Sequence, residues 1–553
     1  MEKKREQIGH HKYSKGLNTC PNKAWTDIKR PVIFLIFRIF RMLTLVTLGL
    51  VIGLATAGPY EGGRGKGWSG VEKTAVNQQL RFIFKNPKEA AQRYFALHPE
   101  AFYASEAFTR ETTPNAPKVL RLGFHDCLPY EDGAEDGEHA NGCDGCLNSE
   151  GMMFDMKSIV NGAYSVPQNY MTNNNGLAFT ADMLEEIYTN PNFPEELDGQ
   201  TMPESLKATG KSRADLWAFA TLAAVDYGIE QQNLACDQEA DHVCGHIRQH
   251  NETCKFQAPK LLWKSARFGR RDCTPDPSLN RPFFTSRKEI HPSINFVGPE
   301  LMKFFKDNFG LTAEASIALY GGAHSFGRFH DQVSLLKYQW TRYQENILNN
   351  QQFVKISLRN EYWFQDCRWH GDPDGNPAKT FWTVRNGKLM EGGGPYQFFH
   401  NYVMCARYTA DCSEVYTGVA ETGKGGRCCN GIPEGKKCLP EEPGPDSCVT
   451  KSDNHQEANI LADAGLYWKF QVDPASGAPY GCPEMERARW RKGIERYAWP
   501  LCEKEDHAPE GRPMFDIVDE YADDQDSWVA AFYTAIERML SNGYKFHSMN
   551  IGK

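Results

Sequence analysis

The chain lacks an apolar, uncharged run of the ~20 residues that a membrane-spanning helix needs. Its best candidate, Met42 to Ala57, has 16 uncharged residues and follows a long basic leader. The small residues Ala55 to Ala57 before Gly58 suit a signal peptidase, whereas the basic leader suits a signal anchor. Residues 1–57 are therefore predicted to be a signal peptide or a signal anchor. In either case the remainder is expected in the secretory pathway, as a secreted or extracellular protein or as a single-pass protein with its domain outside the cytoplasm.

The chain also lacks an excess of positive charge once this leader is set aside. Residues 1–57 hold ten Lys or Arg and three Asp or Glu, a net charge of +7. Since the whole chain carries −8, residues 58–553 carry −15. A domain this acidic is a poor candidate for binding nucleic acid, and a membrane is an expected partner only if the leader is not cleaved.

Cysteine, by contrast, is abundant. Of 17 cysteines, Cys20 lies in the leader and an even 16 remain, which favours disulfides in an oxidising compartment. A zinc site is an alternative for one group, whose members are Cys236, Cys244, Cys254 and Cys273 with His242 and His246 between them. Six more cysteines lie between Cys405 and Cys448, where the spacing fixes no pairing and predicts a disulfide-stapled surface insertion.

One stretch combines a cation, an imidazole and an aromatic ring. Lys118 to Cys127 reads K-V-L-R-L-G-F-H-D-C. On a helix, Arg121 and His125 share a face at i and i+4, with Phe124 beside them. His125 could take a proton near neutral pH and Arg121 could stabilise negative charge on an oxygen, which suits cleavage of an O–O bond. Taken alone, the stretch favours an amphipathic helix that carries a capped core histidine.

A second stretch, Leu311 to Arg328, reads L-T-A-E-A-S-I-A-L-Y-G-G-A-H-S-F-G-R. Thr312 with Glu314 predicts a helix start, and the helical spacing puts Tyr320 and His324 on one face. The pair Gly321-Gly322 would let a flat ligand or another helix approach the backbone one turn before His324. His324 is therefore a candidate iron ligand.

Together, the two stretches resemble the distal and proximal helices of the plant-type (non-animal) haem peroxidase superfamily, in a secreted form with disulfide-rich insertions. Other stretches agree in chain order: N-N-G-L at Asn174–Leu177, S-R-A-D-L-W at Ser212–Trp217, F-G-R-R-D at Phe268–Asp272, I-L-A-D-A-G-L at Ile460–Leu466, and Phe515–Tyr544, which resembles the family's last long helix. The resemblance implies a mostly α, two-lobed fold with haem b between the distal and proximal helices.

The resemblance also implies a role for each site residue. His324 would ligate the haem iron, and Asp463, unless it is only a helix cap, would accept a hydrogen bond from it and make the imidazole more electron-rich. On the other face His125 would move a proton between the two peroxide oxygens, while Arg121 would stabilise the leaving charge. Asn174, unless it only forms a turn, would accept a hydrogen bond from His125 and fix its tautomer.

Calcium is the second cofactor that the resemblance implies. The loop after Cys127 is acidic and glycine-rich, and Asp126 and Asp144 match ligands of the family's distal calcium site. Cys146 stands where a hydroxyl residue is expected, and a disulfide is the alternative for it. Ser325 is a candidate proximal ligand whose expected Asp partners are not found, and a solvated loop without metal is the alternative reading for the distal site.

Several positions depart from known subclasses of the family. Phe124 stands where the intracellular class has Trp, and Pro395-Tyr396 where that class has Pro-Trp near the proximal histidine. Val333 replaces the arginine that binds ascorbate, and Lys118 and Pro114 replace acidic manganese ligands. Neither reductant site therefore transfers to this chain.

Residues between His330 and Met390 are rich in Trp and Tyr and are predicted to form an inserted lobe in which Trp340, Trp363, Trp369 and Trp382 pack rather than transfer electrons. The predicted organisation is a leader at 1–57, a linker at 58–74, a haem peroxidase domain at 75–545 with insertions at about 331–390 and 403–455, and a tail at 546–553.

The predicted function is that of a haem peroxidase, which reduces hydrogen peroxide and oxidises a small electron donor, such as a phenol, by one-electron steps. A rival is a secreted haem-binding or matrix-structural protein with vestigial peroxidase activity. A further rival is a cysteine-rich adhesion module, which would bind no haem.

Overall fold

The structure, a computed structural model, describes residues 67–99, 114–133, 142–149, 152, 174, 176–194, 202–237, 255–257, 259–279, 281–293, 296–328, 340–341, 345–358, 361–365, 384–385, 388–389, 398–401, 427–428, 448–449, 457–469, 471–472, 479–481, 487–491, 494–498, 503–544 and 549–551. The leader and most of the two predicted insertions lie outside these ranges. Within them, no helix is long and apolar enough to cross a membrane.

The described part of the chain is mainly helical, as predicted. Its α-helices are α1 (Gly70–Lys85), α2 (Pro87–Leu97), α3 (Ala116–Asp126), α4 (Ala178–Thr189), α5 (Arg213–Asp237), α6 (Gly298–Phe309), α7 (Ala313–Ala323), α8 (Gln351–Leu358), α9 (Leu461–Ala464), α10 (Met514–Asp523) and α11 (Gln525–Met539). A 3₁₀ turn spans Leu262–Ser265.

The strands are short: β1 (Leu147–Asn148), β2 (Arg267–Phe268), β3 (Phe284–Thr285), β4 (Glu361–Gln365), β5 (Val384–Arg385), β6 (Lys388–Leu389), β7 (Phe398–Asn401), β8 (Arg427–Cys428), β9 (Cys448–Val449), β10 (Glu457–Ile460), β11 (Gln471–Val472), β12 (Pro479–Gly481), β13 (Arg487–Arg491), β14 (Ile494–Ala498) and β15 (Asn550–Ile551). Five of them form an antiparallel sheet in the order β10-β7-β4-β14-β13, which the sequence reading did not predict.

The helices pack in two groups. In the N-terminal half, α3, α1 and α4 all pack on the long helix α5. In the C-terminal half, α7 packs on α6, α8, α10 and α11. One continuous apolar core runs through both groups, so the arrangement agrees with the two-lobed fold that the resemblance implies.

The distal helix α3 is placed by its cap and by a glycine. Asn115 caps it, its side chain accepting from the Lys118 backbone N–H at 3.0 Å. A Cβ added at Gly123 would lie 1.9 Å from Oγ1 of Thr221 on α5. Only glycine therefore lets α3 approach α5 this closely, which fixes the depth at which His125 sits.

The proximal helix α7 begins at the predicted cap: the Thr312 side chain accepts from the Ala315 backbone N–H at 3.2 Å. The two glycines before His324 serve close packing of other helices. A Cβ at Gly321 would lie 2.6 Å from Phe353 on α8, and one at Gly322 would lie 2.5 Å from Trp528 on α11. Of the two readings left open for this pair, the approach of another helix is the one observed.

Two of the matching sequence stretches meet each other. Arg270 Nη1 donates to the buried Asp215 carboxylate at 2.9 Å and its Nε donates to the Leu540 carbonyl at 2.8 Å. The Ala214 backbone N–H donates to Asp272 at 2.9 Å. These contacts tie the start of α5 to the chain just past α11, so these residues serve the architecture.

At four places the described elements add detail to the predicted organisation. Within the predicted linker 58–74, Ser69 and Glu72 form a capping box that starts α1 at Gly70, and Trp68 is buried. The insertion 331–390 includes α8, which buries Phe353 and packs on α10. The stretch resembling one last long helix is broken between α10 and α11, and the predicted tail contains β15, which pairs with β2.

Candidate active site

The distal cluster lies on the last two turns of α3. Nδ1 of the buried His125 is 2.8 Å from Oδ1 of Asn174, which is the contact that the resemblance implies. An amide oxygen can only accept, so Nδ1 carries the proton and Nε2 keeps a free lone pair. The orientation of the Asn174 side-chain amide is fixed, because its Nδ2 donates to the Asn148 carbonyl at 3.2 Å and to Glu289 at 3.1 Å.

The electrostatics of this cluster keep the imidazole neutral. Burial lowers the pKa of His125 well below 6.5, the nearby charges of Arg121 and His291 lower it further, and the bond to Asn174 opposes them. Arg121 is only half-buried, yet desolvation lowers its pKa to about 10. The distal cluster therefore places a neutral base beside a cation.

Glu289 and His291 belong to the distal cluster and were missed by the sequence reading. Glu289 is buried and accepts from the Asn148 backbone N–H at 2.7 Å as well as from Asn174. The His291 ring lies edge-to-face with His125, with 4.8 Å between the ring centroids. The one signal in the sequence is a pair of titratable residues two apart before Pro292, too common a pattern to mark a site.

The proximal cluster lies at the C-terminal end of α7, where His324 is the capping residue. Its Nδ1 is 2.6 Å from Oδ1 of Asp463, and the Asp463 side chain is fully buried while that of His324 is 22% exposed. With Nδ1 engaged by a carboxylate, Nε2 is left to bind a metal. Asp463 lies on the short helix α9, which presents its carboxylate to the histidine.

Trp340 lies directly on the proximal histidine. Its ring is parallel to that of His324, with 4.0 Å between the centroids and 4° between the planes. Sequence reasoning assigned Trp340 to packing within an insertion and placed Tyr396 near His324 instead. Tyr396 lies outside the described residues, and the ring that the structure shows there is Trp340. The Thr341 hydroxyl, which donates to the Ser325 carbonyl at 3.0 Å, anchors this segment on the end of α7.

Helix α6 borders both clusters. Its Phe305 lies 6.2 Å from Phe124 of the distal helix and 5.9 Å from Tyr320 of the proximal one, measured between ring centroids. Tyr320 in turn lies 4.6 Å from His324. A continuous aromatic wall therefore joins the two histidine helices, and the half-buried Phe124 and His324 lie at its two ends.

A known family is similar to the part of the chain that carries the two histidine helices. Residues 103–362 match the family model described as peroxidase. The matched span contains both histidine helices, and it supports assignment to the haem peroxidase superfamily. No curated protein matches the chain.

The peroxidase match does not assign a metal to the loop after α3, but the structure collects carboxylates there. Asp126 and Asp144 are both buried, and Tyr130 donates to the two Asp144 oxygens at 3.1 and 3.2 Å. Burial raises the pKa of Asp126, with Asp144 as the next cause, and burial raises that of Asp144 to about 7. Two carboxylates that destabilise each other's charge suit a cation with oxygen ligands.

Cys146, which stands at an expected ligand position, forms a disulfide with Cys273, and Cys127 pairs with Cys143. Among the described residues, Asp144, Cys146 and Cys273 have potential ligand atoms within 4.8 Å of one another. Because the two sulfurs are bonded to each other, this group offers no thiolate to a metal. Cys236 is also disulfide-bonded, so the zinc alternative loses two of its four cysteines and the disulfide reading is confirmed for them.

Ser325, the candidate proximal calcium ligand, has neutral neighbours. Its hydroxyl donates to the Gly322 carbonyl at 2.8 Å and accepts from the Asn349 backbone N–H at 3.2 Å. No ion pair or hydrogen bond described for it brings a carboxylate, so the structure gives no support to a metal at Ser325. Of the subclass positions, Lys118 is buried in α3, and Val333 lies outside the described residues.

Proposed function

We propose that the protein is a haem peroxidase of the plant type, which reduces hydrogen peroxide and oxidises a small donor by one-electron steps. The observation that carries the proposal is that two histidines, on helices bordering one aromatic wall, are each held in a defined tautomer by an acceptor at Nδ1. One is backed by an amide beside a guanidinium, the other by a buried carboxylate. A binding-only haem protein has no use for the first pair.

The residues present fit haem b. His324 Nε2 would bind the iron, and the Asp463 carboxylate behind it would make the imidazole a stronger electron donor. When bound, haem supplies the iron centre on which peroxide is reduced and from which a donor is oxidised. The flat Trp340 ring stacked on His324 restrains rotation of the imidazole about its Cβ–Cγ bond.

On the distal side the protein's own groups handle protons and charge. Neutral His125 would take the proton from the nearer peroxide oxygen at Nε2 and return it to the farther oxygen, acting as base and then as acid. Arg121 would donate hydrogen bonds to the oxygen that leaves as an anion or water. Asn174 keeps Nε2 unprotonated between turnovers by holding the proton on Nδ1.

Haem binding and turnover test this proposal together. The purified protein titrated with haem b should show one-to-one binding by its Soret absorption, and His324→Ala should weaken that binding. His98→Ala is the matched control, because His98 is a partly exposed histidine bonded to Glu186 at 2.7 Å. Haem binding without peroxide-dependent oxidation of a phenol would favour the haem-binding rival, and no haem binding at all would overturn the proposal.

We further propose that Asp126 and Asp144 bind calcium and that the domain is secreted or lies outside the cytoplasm. Their burial and the described disulfides support these proposals. Calcium at 100 times its dissociation constant should stabilise the fold by about 2.7 kcal/mol. Chelation should lower the melting temperature of the wild type and leave that of Asp144→Asn unchanged; an equal effect on both would contradict the site.

A further inference from the structure

His291 is held beside the distal histidine by a short ladder of backbone hydrogen bonds. The Glu131 backbone N–H donates to the Lys288 carbonyl at 2.8 Å, and the Ile290 backbone N–H donates to the Pro129 carbonyl at 2.7 Å. Because residues 129–131 follow α3 directly, this pairing fixes His291 next to the end of the helix that carries His125. Backbone hydrogen bonds therefore set the position of His291.

The surroundings of His291 suit a proton acceptor. Its Nε2 lies 3.7 Å from the Glu289 carboxylate, and the two side chains are 9% and 3% exposed. His291 also meets the ring of His125, whose pKa the Arg121 charge helps to lower.

The chain at His291 lies closer to solvent than the distal histidine does. Ile290 is 37% exposed and Ser293 is exposed, His291 is half-buried, and His125 is buried. The mechanism proposed above uses His125 for the protons of peroxide and gives His291 no part.

We propose that His291 is a second proton acceptor of the distal side, which takes the proton of a hydroxyl-bearing donor as the donor loses its electron. This inference rests on the proposed peroxidase function. The O–H bond of the donor would break: one bonding electron would pass to the bound haem that peroxide has oxidised, the proton would go to a nitrogen of His291, and the other electron would stay on the oxygen of a neutral radical that leaves. The donors served best are then phenols and enols rather than metal ions or complexes that give up an electron alone.

The test compares two donors in the haem-loaded full chain. Phenol releases a proton with its electron, whereas ferrocyanide does not. Each is mixed with protein that one equivalent of hydrogen peroxide has oxidised, and the return of the Soret band is timed in H₂O and in D₂O. The variants are His291→Gln, which keeps hydrogen bonding but cannot take a proton near neutral pH, and His98→Gln as the matched His–Glu control; His291→Asn replaces the first if it does not fold.

We expect His291→Gln to slow the reaction with phenol by about 100-fold or more, the size of a general-base contribution. The reaction of this variant with ferrocyanide should be unchanged, as should the reactions of both donors in His98→Gln. A slower reaction in D₂O than in H₂O is expected for phenol in the wild type. Equilibrium dialysis of phenol against the resting protein, without peroxide, should show the same affinity in the wild type and His291→Gln.

Each other outcome overturns the inference. Equal slowing of both donors would mean that His291 only positions Glu289 and the groups behind it. Unchanged phenol oxidation would leave His291 without a role in the donor step. An affinity for phenol that falls as far as the rate would make His291 a binding group. A wild type that does not react with peroxide would overturn the proposed function first and this inference with it.

Discussion

At the scale of single residues, the distal histidine is the group whose charge decides the chemistry. Burial and the neighbouring Arg121 hold the pKa of His125 well below 6.5. Since the neutral ring is the base, the rate of reaction with peroxide should stay constant as pH falls through 6.5 and decline only at lower pH. Arg121→Gln removes one positive neighbour and should move this midpoint upward. A pH profile measured by stopped flow checks both; a wild-type midpoint at or above 6.5 would contradict the account.

The proximal carboxylate gives a second prediction at this scale. Asp463→Asn removes the charge that makes His324 electron-rich, so the haem reduction potential should rise and haem affinity should fall by about 10–100-fold. Redox titration and haem titration of the variant measure these two effects. Asp506→Asn is the control, because Asp506 is an exposed carboxylate bonded to Lys469. Unchanged potential and affinity in Asp463→Asn would remove Asp463 from the site.

Residues that belong to a spaced motif could be predicted, and residues that reach the site through long-range folding could not. His125 and Asn174 stand in stretches whose order and spacing carry information, and the structure brings them into contact. Glu289 comes 115 positions after Asn174 and accepts a hydrogen bond from it. An isolated backbone bridge between Glu289 and Tyr130 brings their two segments together. Trp340 was assigned to an insertion, because nothing local marks a single Trp as the one that stacks on a histidine.

At the scale of elements, the packing of α7 on α11 can be tested at one glycine. A Cβ at Gly322 would lie 2.5 Å from Nε1 of Trp528, whose N–H donates to the Ala318 carbonyl at 3.1 Å. Gly322→Ala should therefore destabilise the fold by about 1–3 kcal/mol in urea unfolding. Gly70→Ala, at a helical position with no atom within 4 Å of the added Cβ, should be neutral or slightly stabilising. Equal effects would mean that α11 does not press on Gly322.

The helices show where local signals suffice. Asn and Thr are residue types that commonly cap helices, so Asn115 and Thr312 can be recognised from the local sequence. The structure shows them as the caps of α3 and α7. The break between α10 and α11 depends on Asp524, which accepts from the backbone N–H groups of Asp526 and Ser527 at 2.9 and 3.0 Å. An acidic run such as D-D-Q-D is compatible with a continuous helix or with the cap of a new helix. The packing of the surrounding helices is needed to decide between the two.

At the scale of the whole molecule, two disulfides close loops of very different length. Cys127–Cys143 spans 16 positions and Cys146–Cys273 spans 127. In the chain-entropy view, the longer loop restricts the unfolded chain more, and its disulfide should contribute about 5 kcal/mol against about 3 for the shorter. The double variant Cys146→Ser/Cys273→Ser should accordingly unfold at lower urea than Cys127→Ser/Cys143→Ser. The reverse order would show that native-state contacts outweigh loop length.

The two-lobed helical arrangement followed from the resemblance of ordered stretches. The five-stranded sheet did not, because its strands come from segments of the chain between Glu361 and Ala498 that carry no turn or alternation signal singled out in the sequence. Long-range pairing of this kind depends on register between distant segments, which composition does not encode. The interior that positions the histidines was thus predictable to the extent that it is helical.

A rapid-mixing spectrum of the haem-loaded protein with one equivalent of hydrogen peroxide tests the role of the distal histidine. We expect an immediate change of the Soret band in the wild type and in His98→Ala, and a reaction slowed by about 10²–10⁴-fold in His125→Ala, the contribution of a positioned general base. A wild-type Soret band that peroxide leaves unchanged, or a His125→Ala variant as fast as the wild type, would contradict it.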